Sequence, residues 1–328
     1  MTASTILETP AGTTSRRPGR RLPIRAAIRL GSTVLVLWAV ATLVFLAQHL
    51  MPGDPGRIIL GGSPTTAAQI GAVDHEYGFD RPLLLQYGSY LGQLVRGDLG
   101  SSWSTQQPVA EMIGQQAGAT VLLTLAALAT AWVLAVCSAL ATAGRGRVLS
   151  ALGSGLEVIT AALPQYWLGT ILLVGFAIEN TWFPVAGGSG LRALALPALA
   201  LGIPLAGFLA QLGRDEFDTA LDQPFVTSAR ARGMGDPAVR LRHVLRHAVL
   251  PGVTLTGWAL GALISGAVVV EAVFTRQGIG EVLVTAVVGR DMPVVAGVTL
   301  LIAAVYAVAG LLVDALHQLL DPRLRRPS

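Results

Sequence analysis

The 328-residue chain contains no lysine; all 23 of its basic residues are arginine. A phosphate-binding loop of the GxxxxGK[ST] type uses its lysine on the nucleotide phosphates, so this polypeptide cannot supply that ATP site. Charge is scarce as well. Charged residues make up 13% of the chain, about half the fraction found in a soluble domain. There is one cysteine, Cys137, inside the apolar run AWVLAVCSAL. No intramolecular disulfide can form, and a thiol in such surroundings reads as inert packing. HExxH zinc sites and GxSxG nucleophile elbows are absent. His243 and His247 are four residues apart, but no nearby carboxylate or cysteine completes a metal site.

Apolar residues are abundant. They reach 52%, with a mean hydropathy of +0.61, and collect in runs near 20 residues long, the signature of a polytopic membrane protein. Residues 1–20, rich in Thr, Ser, Pro and Arg, read as a disordered tail. Arg21, Arg25 and Arg29 then precede an apolar run from Leu30 to Leu50. This run is longer than a leader-peptide core and ends in QHLMPGDP without a small-x-small cleavage site, so residues 21–50 are expected to form a first transmembrane helix. Five more runs, at about 119–141, 154–178, 193–213, 248–272 and 294–318, bring the expected count to six.

Arginine placement sets the orientation. With the N-terminus inside, 17 of the 23 arginines fall in cytoplasmic segments, although the outer segments contain more residues. Both termini, including the tail at 321–328, are therefore expected in the cytoplasm. Residues 51–118 become an extracytoplasmic cap rich in turns (PGDP, GGSP, YGFDRP). Within it, LLLQYGSYLGQLV places Leu84, Tyr87, Leu91 and Leu94 on one helical face. Residues 119–320 form a five-helix core that includes a cytoplasmic loop at 214–247. Arginines placed beside apolar runs, with no soluble domain and no interleaved aromatics, argue against nucleic-acid binding.

The segment FVTSARARGMGDPAVRLRHVLRHAVLP, residues 225–251, has five arginines, two histidines and a single acid, Asp236. Gly233 and Gly235 suit a chain reversal. Asp236-Pro237 offers an N-cap followed by proline at the first helical position. Leu241, Val244, Leu245 and Ala248 fall at i, i+3, i+4 and i+7, an apolar stripe, with Arg242 and Arg246 on another face. The segment reads as helix, glycine turn, and amphipathic helix leading into a span. Anchoring of the arginines at anionic headgroups would account for the charge by itself.

From about Ile24 to Arg326 the chain resembles the permease subunits of binding-protein-dependent ABC importers, in the dipeptide, oligopeptide and nickel branch. The resemblance rests on MPGDP (51–55), YGFDRPLLLQY (77–87), RGDLGSS (96–102), PVAEMI (108–113) and LPQYWLG (163–169). It continues in WFPVAGG (182–188), the 225–251 segment, VVVEAVFTRQGIGE (268–281), GRDMPVV (289–295) and LLDPRLR (319–325). It implies the type I importer permease fold and pairing with a second, homologous permease. It also implies two cytoplasmic ATPases or one fused ATPase chain, which hydrolyse the ATP, and an extracytoplasmic substrate-binding protein. No cofactor is implied for this chain itself.

By the same resemblance, the basic segment is the EAA-type coupling loop that docks in a groove of the ATPase. Thr227, Ser228 and Ala229 stand where Glu-Ala-Ala appears in the general pattern, with Gly233 as its glycine and Leu250-Pro251 as its close. Only Ala229, Gly233 and Leu250-Pro251 match outright. The implied coupling residues are Thr227, Ser228, Ala229, Arg230, Ala231, Arg232, Gly233, Met234, Gly235, Asp236, Leu250 and Pro251. Di- and oligopeptides are the expected substrates. Nickel or metal chelates, opines, glutathione-like peptides and oligosaccharides use similar permeases.

Two further places attract a functional reading. Gln165, Tyr166 and Trp167 follow Pro164 inside the third expected span, where proline kinks a helix and frees a carbonyl toward a cavity. Glu271, near the outer end of the fifth span, is a substrate-path candidate by virtue of its depth; capping of the GIG turn at 278–280 is the plainer alternative. Asp54 and Asp98 lie in outer turns and read as helix caps or binding-protein contacts. A membrane-embedded enzyme would need polar catalytic groups facing one another across the spans, and none are evident in the sequence.

Overall fold

The computed structural model describes residues 21–50, 53–61, 66–187 and 190–320. The tails expected at 1–20 and 321–328 lie outside these, as do the side chains of Leu250 and Pro251. The architecture is helical, with no β-strand among the described residues. Helix α1 spans Arg21–Leu50. Three short helices follow: α2 (Pro55–Ile59), α3 (Ala67–Tyr77) and α4 (Leu83–Val95). Asp54 caps α2 by accepting from the Gly56 N–H at 3.0 Å. Helix α4 lies along the C-terminal half of α1, where the Tyr87 hydroxyl meets Thr42 at 2.7 Å and its ring packs on Phe45.

Helix α5 (Val109–Thr142) begins ten residues before its apolar run. The expected cap boundary at 118 therefore falls inside a helix, because the polar turns GQQAGAT continue the same helical register. Next come α6 (Arg147–Ala162) and α7 (Gln165–Leu172), the latter continued by a π-helical segment, Leu173–Glu179. The third expected span is thus not one kinked helix: α6 and α7 meet at 99°. Proline disfavours helical geometry in the residue before it, and Leu163 is extended (φ −70°, ψ 128°), which ends α6. At 16 residues, α6 measures about 24 Å, short of a full crossing. Among the described residues, five helices are long and apolar enough to span a membrane, or six if the bent pair counts as one span.

Helix α8 (Leu191–Leu221) is the most enclosed of the spans. Its Ala198, Leu201, Leu205 and Leu209 pack against Leu123, Ala127, Ala131 and Ala135 of α5 and against Ala259 and Leu263 of α12 (Leu250–Val273). Alanines spaced by four on α5 form a flat stripe, which lets the backbones approach where lipid offers no hydrophobic drive. Beyond α8 lie α9 (Pro224–Ala231), α10 (Asp236–Val239) with a π-helical continuation Arg240–Val244, and α11 (Leu245–Ala248). After α12, the short α13 (Ile279–Val288) leads to α14 (Met292–Leu320).

Candidate functional site: the loop between α8 and α12

The loop folds as the sequence suggests at its first corner. Helix α9 ends in a Schellman motif: the Met234 N–H reaches Ala229 O at 3.2 Å and the Gly233 N–H reaches Arg230 O at 2.9 Å. The motif needs a left-handed residue, and Gly233 supplies it at φ +84°. Gly235 does not share that role; at φ −65°, ψ 151° it is ordinary extended chain. Val226 and Ala229 turn inward onto Phe217, Val239 and Val244 in a small core of the loop's own, shared with the ends of α5 and α8. Thr227, Ser228, Arg230, Ala231, Arg232 and Gly233 remain exposed. Of the three residues standing at the Glu-Ala-Ala position, one is a packing residue and two face outward.

The second corner departs from expectation. Asp236 is the first residue of α10 and caps no N–H. Its carboxylate instead accepts from Arg230 Nη2 at 2.9 Å and Arg240 Nε at 2.7 Å. Those two bonds, Arg240's the stronger, hold the Asp236 carboxyl below the usual carboxylate range, against a smaller opposing effect of burial. Of the apolar stripe, Val244, Leu245 and Ala248 pack inward as expected, but Leu241 does not. A π-helical turn at Arg240–Val244 inserts an extra residue, so Val239, Arg240, Val244 and Ala248 face inward while Leu241 is 58% exposed. Arg240 thereby becomes a buried clasp. Its Nη1 donates to Ala143 O at 2.6 Å, its Nη2 reaches Gly144 O at 3.4 Å, and its Cζ lies 5.7 Å from the Phe217 ring centroid.

The turn it grips, between α5 and α6, is built for this contact. Gly144 has φ +58°, and a side chain there would overlap Leu221 at the end of α8. The His247 ring meets the Phe225 ring at 4.9 Å between centroids, tilted by 34°. Leu250 and Pro251 open α12.

A second polar cluster lies just inside, and sequence reasoning missed it. Glu157 of α6 and Arg214 of α8 form a bidentate pair, with Nε to Oε2 at 2.8 Å and Nη2 to Oε1 at 2.5 Å. Ser138 and Thr142 of α5 add bonds at 2.7 and 2.6 Å. The available signal was an acid within an otherwise apolar run, Glu157, which calls for a buried partner.

The four residues first considered for a substrate path are not brought together. A side chain at Gly266 of α12 would strike the Gln165 amide, so Gln165 leans on that helix. Tyr166 and Trp167 point outward, 57% and 48% exposed. Glu271 is wholly buried. Its carboxylate accepts from Thr120 Oγ1 at 2.7 Å and Gly280 N–H at 2.8 Å, while Thr120 accepts from Ile279 N–H. The carboxylate is engaged with the turn entering α13. A comparable anchor joins the start of α14 to the segment before α5: Asp291 accepts from Ser102 Oγ, Trp103 N–H and Ser104 Oγ at 2.5, 3.0 and 2.8 Å.

Comparison with known proteins gives a consistent result. Residues 133–326 match the family described as "Binding-protein-dependent transport system inner membrane component", and residues 24–124 match its N-terminal companion. The chain is 36% identical over 299 residues to a glutathione transport system permease protein of Salmonella paratyphi A, covering 90% of this chain and 97% of that protein. It is 33% identical over 308 residues to a putative peptide transport system permease protein of Brucella abortus, with the same coverage. A solved amino acid ABC transporter aligns over 65% of this chain and 94% of its own, at 18% identity and a TM-score of 0.47.

Proposed function

Because the chain belongs to the family of inner-membrane components of binding-protein-dependent transport systems, we propose that it forms half of a peptide translocation path and couples to a cytoplasmic ATPase through α9 and the turn at Gly233. It is the permease subunit of an ABC importer. The observation that carries the coupling reading is the loop's construction. One face is locked to α5 and α8 by Arg240, Val226 and Ala229, and the exposed face presents the small residues Thr227, Ser228, Ala231 and Gly233 beside Arg230 and Arg232. A helix bearing such small residues lies close in a partner's groove. Helix α8, 31 residues long or about 46 Å, ends two residues before α9 and acts as its lever.

Arg145 and Arg147 flank the α5–α6 turn against which the loop rests. Both arginine-rich loops therefore share one end of the helices, which supports placing that end, and both termini, in the cytoplasm. In this reading a loaded binding protein docks on the outer face, and ATP closes a pair of ATPase domains. Closure pulls α9, and the substrate passes through a cavity shared with a second permease. The chain supplies alternating access rather than bond chemistry. An identity of 36%, in an alignment that covers 97% of a glutathione permease, favours di- and tripeptides of that kind as cargo.

The test is reconstitution of the permease pair, ATPases and binding protein in liposomes, with labelled glutathione and dipeptides outside and ATP within. ATP-dependent peptide accumulation is expected. Accumulation of a nickel chelate or an opine, with no peptide, would overturn the substrate assignment.

A further inference from the structure

Arg214 lies near the end of α8, 7% exposed, and ties that helix to α6 through Glu157 and to α5 through Thr142. The cluster is incompletely satisfied. Arg214 Nη1 is buried with no hydrogen-bond partner, and so is Oδ1 of Asp218. Asp218 follows Arg214 by four residues, so their side chains share one face of α8, with Cβ atoms about 6 Å apart. An unpartnered donor and an unpartnered acceptor thus lie one turn apart in a buried setting, where native proteins rarely leave such groups. Arg240 is also close to Asp218 across Gly144, and its bonds to Asp236, Ala143 and Gly144 use three of its five N–H groups. Of the two arginines, Arg214 is the one with a buried nitrogen that has no hydrogen-bond partner.

We propose that Arg214 is a positioning residue of the transport cycle that exchanges carboxylates: it pairs with Glu157 of α6 in the conformation described here and with Asp218 of its own helix when α6 draws away from α8. The idea rests on the coupling role of α9 given above. Helix α8 carries the lever to the loop, and α6 is the first limb of the bent span. Movement passed from the loop to the pore has to shift one against the other. An arginine is not deprotonated in proteins, and a buried guanidinium stripped of its carboxylate opposes any such shift. Asp218 removes that opposition by offering a second partner that travels with Arg214. The Glu157 pair then acts as a latch between α6 and α8 that opens without leaving a bare charge.

The test uses the assembled importer in nanodiscs, in a Cys137→Ser background. Spin labels at exposed Leu149 of α6 and Leu212 of α8 report their separation. Wild type is expected to show two distance populations that exchange weight between nucleotide-free and ATP-trapped states. Asp218→Asn removes no bond present here, so assembly and melting temperature should match wild type. The ATP-trapped population should nevertheless collapse, and uptake should fall about tenfold or more. Asp218→Glu should restore both, and Glu157→Gln should shift the weight toward the ATP-trapped distance. Wild-type distances and uptake in Asp218→Asn would overturn the proposal, and so would a drop in melting temperature equal to that of Glu157→Gln. Failure of the wild type to import any peptide would count against the substrate reading alone, because the distances are read independently of cargo.

Discussion

Replacing Arg240 with alanine should detach the loop from the α5–α6 turn while leaving the helical core intact. The substitution removes the 2.7 Å bond to Asp236, the 2.6 Å bond to Ala143 O and a long 3.4 Å contact to Gly144 O. A hydrogen bond from a charged donor contributes about 1.5–3 kcal/mol. The Asp236 side chain is 47% exposed, so water replaces much of that bond and its share falls to about 1 kcal/mol or less. The Ala143 bond is buried, and its loss strands a carbonyl. Together these come to about 2–4 kcal/mol of local stability, or roughly a 30- to 900-fold rise in exchange rate at 1.36 kcal/mol per decade. Hydrogen exchange by mass spectrometry on the assembled importer, resolving peptides across 233–248, measures this directly. The ratio of ATP hydrolysed to peptide imported should rise as well, since the lever slips. Unchanged protection in the loop would refute the clasp. Increased exchange with wild-type coupling would refute its mechanical role.

Other consequences are tested more simply. Gly233→Arg places a bulky residue at φ +84° on the exposed face; the chain should still insert, but ATP-coupled uptake should be abolished, and normal uptake would remove the docking assignment. Because the Asp236 carboxyl is held below its ordinary range, its contribution is present above about pH 4, near its unfolded value, and is lost only as pH falls through the lower folded value. Loop protection, taken relative to the intrinsic exchange rate at each pH, should therefore be flat from pH 8 to 5 and fall in stronger acid, and Asp236→Asn should erase that fall. Glu271→Ala strands Gly280 N–H and Thr120 in a buried site, which costs about 2–4 kcal/mol. The purified complex should melt several degrees lower, and a melting temperature equal to wild type would show that the turn into α13 is held by other contacts.

Local chemistry in the chain was sufficient for several elements and insufficient for others. The Gly233 turn, the short helix before it and α4 follow from glycine geometry and 3.6-residue spacing, and the structure contains all three. The stripe after Asp236 holds at Val244, Leu245 and Ala248 but not at its first member, because a π-helical turn moves Leu241 out and Arg240 in; no periodicity rule anticipates an inserted residue. Asp236 looked like an N-cap until two arginines captured it. Glu157–Arg214 and Asp291–Ser102 join residues 57 and 189 positions apart, distances at which local spacing carries no information. Pro164 announced a kink, but its 99° size depends on what α6 and α7 pack against.

The account stands or falls on whether the exposed face of α9 touches an ATPase. In the Cys137→Ser background, a photo-crosslinking residue at position 228 should attach the permease to the ATPase chain in membranes. The yield should change between nucleotide-free and ATP-trapped states, while the same probe at exposed Val133, within the α5 span, should give no such product. Absence of an ATPase adduct from Ser228, in an importer that still transports, would contradict the account.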